Sequence, residues 1–375
     1  MEEKAYQYWL HNLPGVGDRS IEKLLKVFGS AKEIYSAGAE AVEEVLQKAV
    51  EDRVRIFTEN WEVEKNYEEL CRQKIWFIPQ DDKRYPGRLK RMEHPPYALY
   101  CLGQLPEEKC PAVAVIGARE CSEYGRYVAE AFTAKMAAAG VLIISGMARG
   151  IDGIGQKAAL AAKGRTYAVL GCGVDVCYPG SNRRLYQEIL DGGGGILSTF
   201  PPGTQPLKQH FPERNRIVAG LSDVVLVVEA RLKSGTWITV DMALEQGKSV
   251  YAVPGRVTDR LSDGCNYLIR QGAGIALTPE DVLAEIAILE NRKGGKKKDR
   301  AQNMGLSAWD SEEEGILRFL DDQPKSVDEI MERMRKKGEK MELTDLLTNL
   351  MELCMEKKAV RTGGNYFVRA YRDML

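Results

Sequence analysis

Between residues 111 and 290 the sequence alternates short apolar runs with longer helical stretches, and this rhythm limits the architecture more than any other feature. The runs at 112–117, 141–146, 166–171, 195–200, 223–230 and 249–255 read as buried strands, while 124–139, 153–163 and 236–246 carry helical periodicity. Strands that are apolar on both sides need cover on both faces, and helices placed between them supply it. The pattern predicts an α/β fold: a Rossmann-like, doubly wound, mostly parallel sheet over 111–290.

The flanks read differently. Residues 1–65 form a helical module punctuated by Leu13-Pro-Gly-Val-Gly17, a pattern that resembles a helix-hairpin-helix. Such glycines let backbone N–H groups approach a phosphate at a helix N-terminus. A plain turn between packed helices explains the same residues, and the acid at Asp18 leaves both readings open. Residues 66–110 are expected to be an extended connecting segment packed on the core, since their prolines favour edge structure and turns. The stretch 291–305 is expected to be a basic linker, with six positive charges against one negative in 291–300. Residues 306–375 read as a winged-helix domain, with short helices at 312–320, 327–334 and 343–353 and a hairpin at 359–368. Its third helix carries Glu342, Asp345, Thr348, Asn349 and Glu352 where a major-groove reader presents bases with Arg, Lys, Asn or Gln. Contact with protein is the expectation there.

The formal net charge is −1, so any polyanion must be met by a local basic face rather than a global field. Eight cysteines without a CxxC pair, and an N-terminus lacking a signal-peptide pattern, point to a reducing cytoplasm. Three scattered histidines give no reason to expect a metal, and no apolar run approaches the roughly 20 residues of a membrane span.

Three glycine turns follow predicted strands: Val115-Ile-Gly117-Ala118-Arg119, Ser145-Gly146-Met-Ala-Arg149-Gly-Ile-Asp152, and Gly171-Cys-Gly173-Val-Asp175. Where a strand turns into a helix, backbone amides point at an anion. None of the three completes G-x-G-x-x-G, and Ser145-Gly146 stands where a dinucleotide enzyme holds its ribose with an acid. The sheet mouth instead gathers Arg119, Arg149, Lys208, His210, Phe211, Arg214, Asn215 and Arg216, with Ser234-Gly235-Thr236 opening the helix after the fifth strand. Arginine forks fit phosphate oxygens and Phe211 offers a stacking face, so the cluster reads as a site for a polyanion that carries bases.

These motifs together resemble the DNA-processing protein A family. The matching pieces run in order from Tyr85-Pro-x-x-Leu89, Val115-Ile-Gly-Ala-Arg119 and Ser145-Gly-Met-Ala-Arg-Gly-Ile-Asp152 through Ala168-Val-Leu-Gly-x-Gly-x-Asp175 and Phe211-Pro-x-Arg-Asn-Arg216. They continue to Ser234-Gly-Thr236, Val253-Pro-Gly255 and Gly264-x-Asn266. The resemblance implies a homodimeric, non-enzymatic protein, without cofactor, that binds and protects single-stranded DNA irrespective of sequence. It also implies a partner, the RecA recombinase, which such a protein helps to load in natural transformation and homologous recombination. The family's phosphate pocket then falls on Gly117, Ala118, Arg119, Lys208, Phe211, Arg214, Asn215, Arg216, Ser234 and Gly235. Departures are Ala118 for the usual Ser, Gly155-Gln156 for Ala-His, and Ser198-Thr199 for Ser-Glu. The Ala118 backbone amide is expected to keep its phosphate contact. The competing class is a Rossmann-like nucleotide phosphoribohydrolase, whose Pro-Gly-Gly-x-Gly-Thr-x-x-Glu motif Ser234-Gly-Thr236 faintly matches; here Thr239 sits near the place of the acid.

Overall fold

The computed structural model describes residues 2–294, 315–321, 324–339, 341–356, 358–363 and 365–369. Five helices open the chain: α1 (Glu2–Asn12), α2 (Asp18–Phe28), α3 (Ala31–Leu46), α4 (Glu51–Glu59) and α5 (Val63–Arg72). Then come β1 (Trp76–Pro79), the short α6 (Gly87–Lys90) and β2 (Ala98–Gly103). The alternating region follows as β3 (Ala112–Ile116), α7 (Glu123–Ala138), β4 (Leu142–Ser145), α8 (Ile151–Ala161), β5 (Thr166–Val169), α9 (Arg183–Asp191) and β6 (Gly195–Ser198). It continues with α10 (His210–Leu221), β7 (Val224–Val227), α11 (Thr236–Glu245), β8 (Ser249–Ala252), α12 (Asp263–Arg270), β9 (Gly274–Ile275) and α13 (Pro279–Gly294).

These strands form one nine-stranded sheet in the order β1-β2-β6-β5-β4-β3-β7-β8-β9. Pairing is parallel from β6 to β9, and β2 joins β6 antiparallel, as β1 joins β2. All six expected strands are present, and the sheet is the mostly parallel, doubly wound one that the apolar runs require. The segment after α5 does more than pack on the core, because its Ala98–Gly103 strand pairs with β6 and so widens the sheet. Residues 291–294, expected in the linker, belong to α13, and 295–305 lie outside the described residues.

The reason for burial on both faces is visible strand by strand. Along β3, Val113 and Val115 pack with Val128, Phe132 and Ile151 of α7 and α8, while Ala112, Ala114 and Ile116 meet Ile217, Val218 and Leu221 of α10. A buried ion pair closes the amino end of the sheet: Arg88 Nη2 donates to Asp223 Oδ2 at 2.8 Å and to the Cys110 carbonyl at 2.6 Å. Asp223 also accepts the Ala112 amide at 2.9 Å, which ties α6 to the starts of β3 and β7.

The N-terminal helices dock on β1 and β2 through an aromatic cluster. Tyr8 lies 5.5 Å from Phe77 and 6.1 Å from Tyr100, centroid to centroid. Leu13-Pro-Gly-Val-Gly17 forms the turn between α1 and α2, and Asp18 at the start of α2 is turned toward Glu213 and Arg216 of α10, where burial pushes its carboxyl up. Beyond α13 the described residues give a 3-10 turn (Gly315–Phe319), β10 (Lys325–Ser326), α14 (Val327–Lys336), α15 (Leu343–Met355), β11 (Ala359–Gly363) and β12 (Tyr366–Arg369). The three strands pair as β10-β12-β11, and residues 312–314 of the first expected helix lie outside the described set.

His11 sits in the aromatic cluster, its Nδ1 2.9 Å from the Tyr100 hydroxyl, and burial pushes the imidazole down from 6.5 to about 4. The fold therefore stabilises the neutral ring. That contribution is complete above pH 6.5, is lost as pH falls toward 4, and changes no further below it. His11→Leu is expected to flatten stability between these limits relative to the unmodified chain; parallel curves from urea titrations at pH 7 and pH 4.5 would contradict the assignment.

Candidate nucleic-acid interface

Chain order reverses between β3 and β7, and ligands of doubly wound sheets bind outside the carboxyl ends of the strands at such a point. The turns leaving β3, β4, β5 and β7 and the N-termini of α8, α10 and α11 all lie at that edge. Its floor is buried. Arg214, 6% exposed, donates from Nη1 to the carbonyls of Val169, at 2.9 Å, and Gly146, and from Nε to Asn215 Oδ1 at 2.9 Å. Asp152 Oδ2 accepts the Gly146 amide at 3.2 Å. Burial pushes the Asp152 carboxyl up and Arg214 pulls it back, while burial is also the largest influence lowering Arg214. Gly146 has to be glycine, since a Cβ there would stand 2.1 Å from Arg214 Nη1.

Phe211 rests on this floor. The guanidinium carbons of Arg119 and Arg214 each lie 5.7 Å from its ring centroid, within cation–π range. Tyr178 is 5.8 Å away, 42% exposed, and tilted by 37°. Gly171 leaves room for the ring, because a Cβ there would meet Phe211 Cδ1 at 3.2 Å. Exposed cations stand at the same carboxyl edge of the sheet: Arg119, Arg149, Arg183, Lys208, Arg231 and Lys233. None of them is joined to a carboxylate among the described residues, whereas other helix cations are, as Lys26 is with Glu22 at 2.6 Å and Arg184 with Glu188 at 2.7 Å. Carboxylates at the edge hold loops instead: Asp175 accepts the Gly203 amide at 2.9 Å and Glu213 accepts the Thr199 hydroxyl at 3.0 Å.

The residues singled out in the sequence divide into three groups. Arg119, Arg149, Lys208 and Phe211 reach the surface of the edge together, with Gly117, Ser234, Gly235 and Thr236 in the adjoining turns. Arg214, Asn215, Ser145 and Gly146 lie beneath them; the Ser145 hydroxyl is spent on the Val115 carbonyl at 2.7 Å. Arg216 points elsewhere, because two positions along a helix rotate a side chain by about 200°, and its guanidinium bonds the His94 carbonyl. The Ala118 amide, expected to face a phosphate, donates to the Glu229 carbonyl at 2.8 Å and is not available. Gln156 is wholly buried on the sheet side of α8, donating to the Tyr167 carbonyl at 3.1 Å, so it plays no part at the edge. Tyr178, a residue of a turn in the sequence, and Arg183, Arg231 and Lys233 also reach this edge, since each follows β5 or β7 on the carboxyl side.

Fold and site together define a Rossmann-like protein whose mouth is cationic and aromatic. The family model described as DNA recombination-mediator protein A matches residues 76–287, and the chain belongs to that family. The DNA processing protein DprA of Streptococcus pneumoniae is 45% identical over 204 residues, covering 54% of this chain and 72% of that protein. Protein Smf of Escherichia coli is 43% identical over 209 residues, covering 56% of each. The solved structure of DNA processing protein A from Streptococcus pneumoniae superposes with a TM-score of 0.66 at 35% identity, over 75% of this chain and 97% of that one. A structure of the Helicobacter pylori DNA processing protein A, concerned with its single-stranded DNA binding mode, gives a TM-score of 0.52 at 31% identity, over 58% of this chain and 97% of that one.

The buried and exposed arginines should separate in a stability measurement. Arg214→Ala leaves two strand-end carbonyls and Asp152 without their cation, and is expected to cost about 3–5 kcal/mol. Arg119→Ala should change stability by less than about 0.5 kcal/mol. Equal urea midpoints for the two variants would refute the layered arrangement.

Proposed function

We propose that the protein binds single-stranded DNA at the carboxyl edge of the sheet, shields it, and helps to load the RecA recombinase on it during DNA uptake and homologous recombination. The observation that carries this reading is the concentration of exposed cations without carboxylate partners at the sheet edge that also holds Phe211 and Tyr178. Clustered like charges repel one another, so their concentration at one edge without carboxylate partners fits a surface completed by phosphates. An exposed ring next to them suits a base that has left its stack, and every base has a face to offer. Membership of a family described as recombination mediators supports a recombinase as the protein partner.

Gly117, Arg119, Arg149, Lys208, Phe211, Ser234, Gly235 and Thr236 form the contact surface in this reading, with Tyr178, Arg183, Arg231 and Lys233 added by the fold. A non-catalytic role is favoured at Thr239, which stands near the place of the phosphoribohydrolase acid and is buried. A homodimer is favoured by Leu244, Ile275 and Leu277, 57%, 48% and 62% exposed, around the open edge strand β9. Among the described residues no helix is long and apolar enough to cross a membrane.

A salt titration tests the reading. If four or five phosphates are engaged, log affinity for a single strand falls against log salt with a slope of about −3, and Arg119→Ala/Arg149→Ala flattens it by about 1.4. Each lost charge-assisted contact should weaken binding roughly 10- to 100-fold. A duplex of equal length should bind less tightly. A flat salt response, or tighter duplex binding, would overturn the proposal.

A further inference from the structure

The turn after β3 leads into α7 at the switch point, where α/β folds present a helix N-terminus to a bound phosphate. Here that position holds an anion belonging to the chain. Glu229, 1% exposed just beyond β7, accepts the Ser122 backbone N–H at 2.9 Å and the Ser122 hydroxyl. Ser122 in turn caps α7 by accepting the Gly125 amide at 3.0 Å. A Cβ on Gly125 would stand 2.2 Å from Glu229 Oε2, so the carboxylate lies directly against the first turn of the helix. The backbone of the same residue holds the other end of the turn, its carbonyl accepting the Ala118 amide at 2.8 Å. Glu229 thus grips residues 118 and 122, and Arg119 is displayed between them with its guanidinium over Phe211.

We propose that Glu229 is a built-in substitute for the phosphate of a nucleotide-binding fold: it fills the anion position at the α7 N-terminus and sets the turn that presents Arg119. It is a positioning residue, and the Arg119 half of this inference rests on single-stranded DNA binding at this edge. Filling the position from within also accounts for the absence of G-x-G-x-x-G, because no external phosphate needs room there. The helix dipole and the Ser122 donors act on a carboxylate as they would on a phosphate oxygen pair.

The test is chemical rescue of Glu229→Ala in the full chain. Truncation removes the carboxylate and leaves space for a small one, so 50 mM acetate should raise the melting temperature of the variant more than chloride at equal ionic strength does, by about 3 °C or more, and leave the unmodified protein unchanged. Single-strand affinity of the variant should fall about tenfold, as for one misplaced charge-assisted contact, and acetate should restore part of it. An acetate shift no larger than the chloride shift would overturn the inference, as would single-strand affinity at the unmodified level. If Glu229→Ala does not fold, Glu229→Asp withdraws the carboxylate by one methylene; weaker single-strand binding is expected, and unmodified affinity would overturn the inference. Failure of the unmodified protein to bind single strands would instead sink the proposed function, while acetate-specific stabilisation of the variant would still stand.

Discussion

One buried guanidinium organises the mouth of this sheet. Arg214 enters from the first turns of α10 and takes the carbonyls of Gly146 and Val169, which are the ends of two neighbouring strands. A charge so enclosed is tolerated only when its donors are used and an anion stands near, and Asp152 supplies the anion. The consequences spread upward. With α10 anchored at that point, Phe211 lies across Gly171, and the ring carries Arg119 on one side and Tyr178 on another. Rigid support of this kind lets a shallow surface present charge and aromatic face in register, because little side-chain freedom remains to be lost on binding.

In the proposed function the same layering favours a flexible strand over a mononucleotide at this edge. The switch-point helix already has its anion in Glu229, and the carboxylates Asp175 and Glu213 are committed to loops. What remains exposed is a spread of cations rather than a closed cradle. Such a spread can follow a backbone through several phosphates and is indifferent to base sequence. A duplex is stiffer and keeps its bases stacked, so it meets fewer of these groups at once.

Much of the fold was legible in the chain, and for one physical reason. Parallel strands covered on both faces must be apolar throughout, and the six runs from 112 to 255 announced themselves accordingly. The Ala98–Gly103 strand was harder, since prolines around it signalled an edge while nothing local specified antiparallel pairing with a partner almost a hundred residues away. Two-residue β9 is too short for any periodicity. The glycine turns and the Phe211 run lie at the carboxyl edge as their place after strands implied, but Arg214, Arg216 and Arg119 look alike as letters. Which of the two α10 arginines is buried depends on α10 rotation against the sheet, a tertiary property; the 200° between Arg214 and Arg216 follows from helix geometry once the helix is known. The inward role of Gln156 and the engaged amide of Ala118 are hidden for the same reason.

In the proposed function a base of single-stranded DNA stacks at Phe211 and Tyr178 while its phosphates meet the cations of the same edge. Photo-crosslinking places it most directly: a single strand carrying 5-iodouracil at one position, irradiated on the full chain and mapped by mass spectrometry. Adducts are expected on Phe211 or Tyr178, lost when unlabelled single strand competes and retained when an equal length of duplex does. Adducts confined to the α1–α2 turn or to α15, with none at the sheet edge, would contradict it.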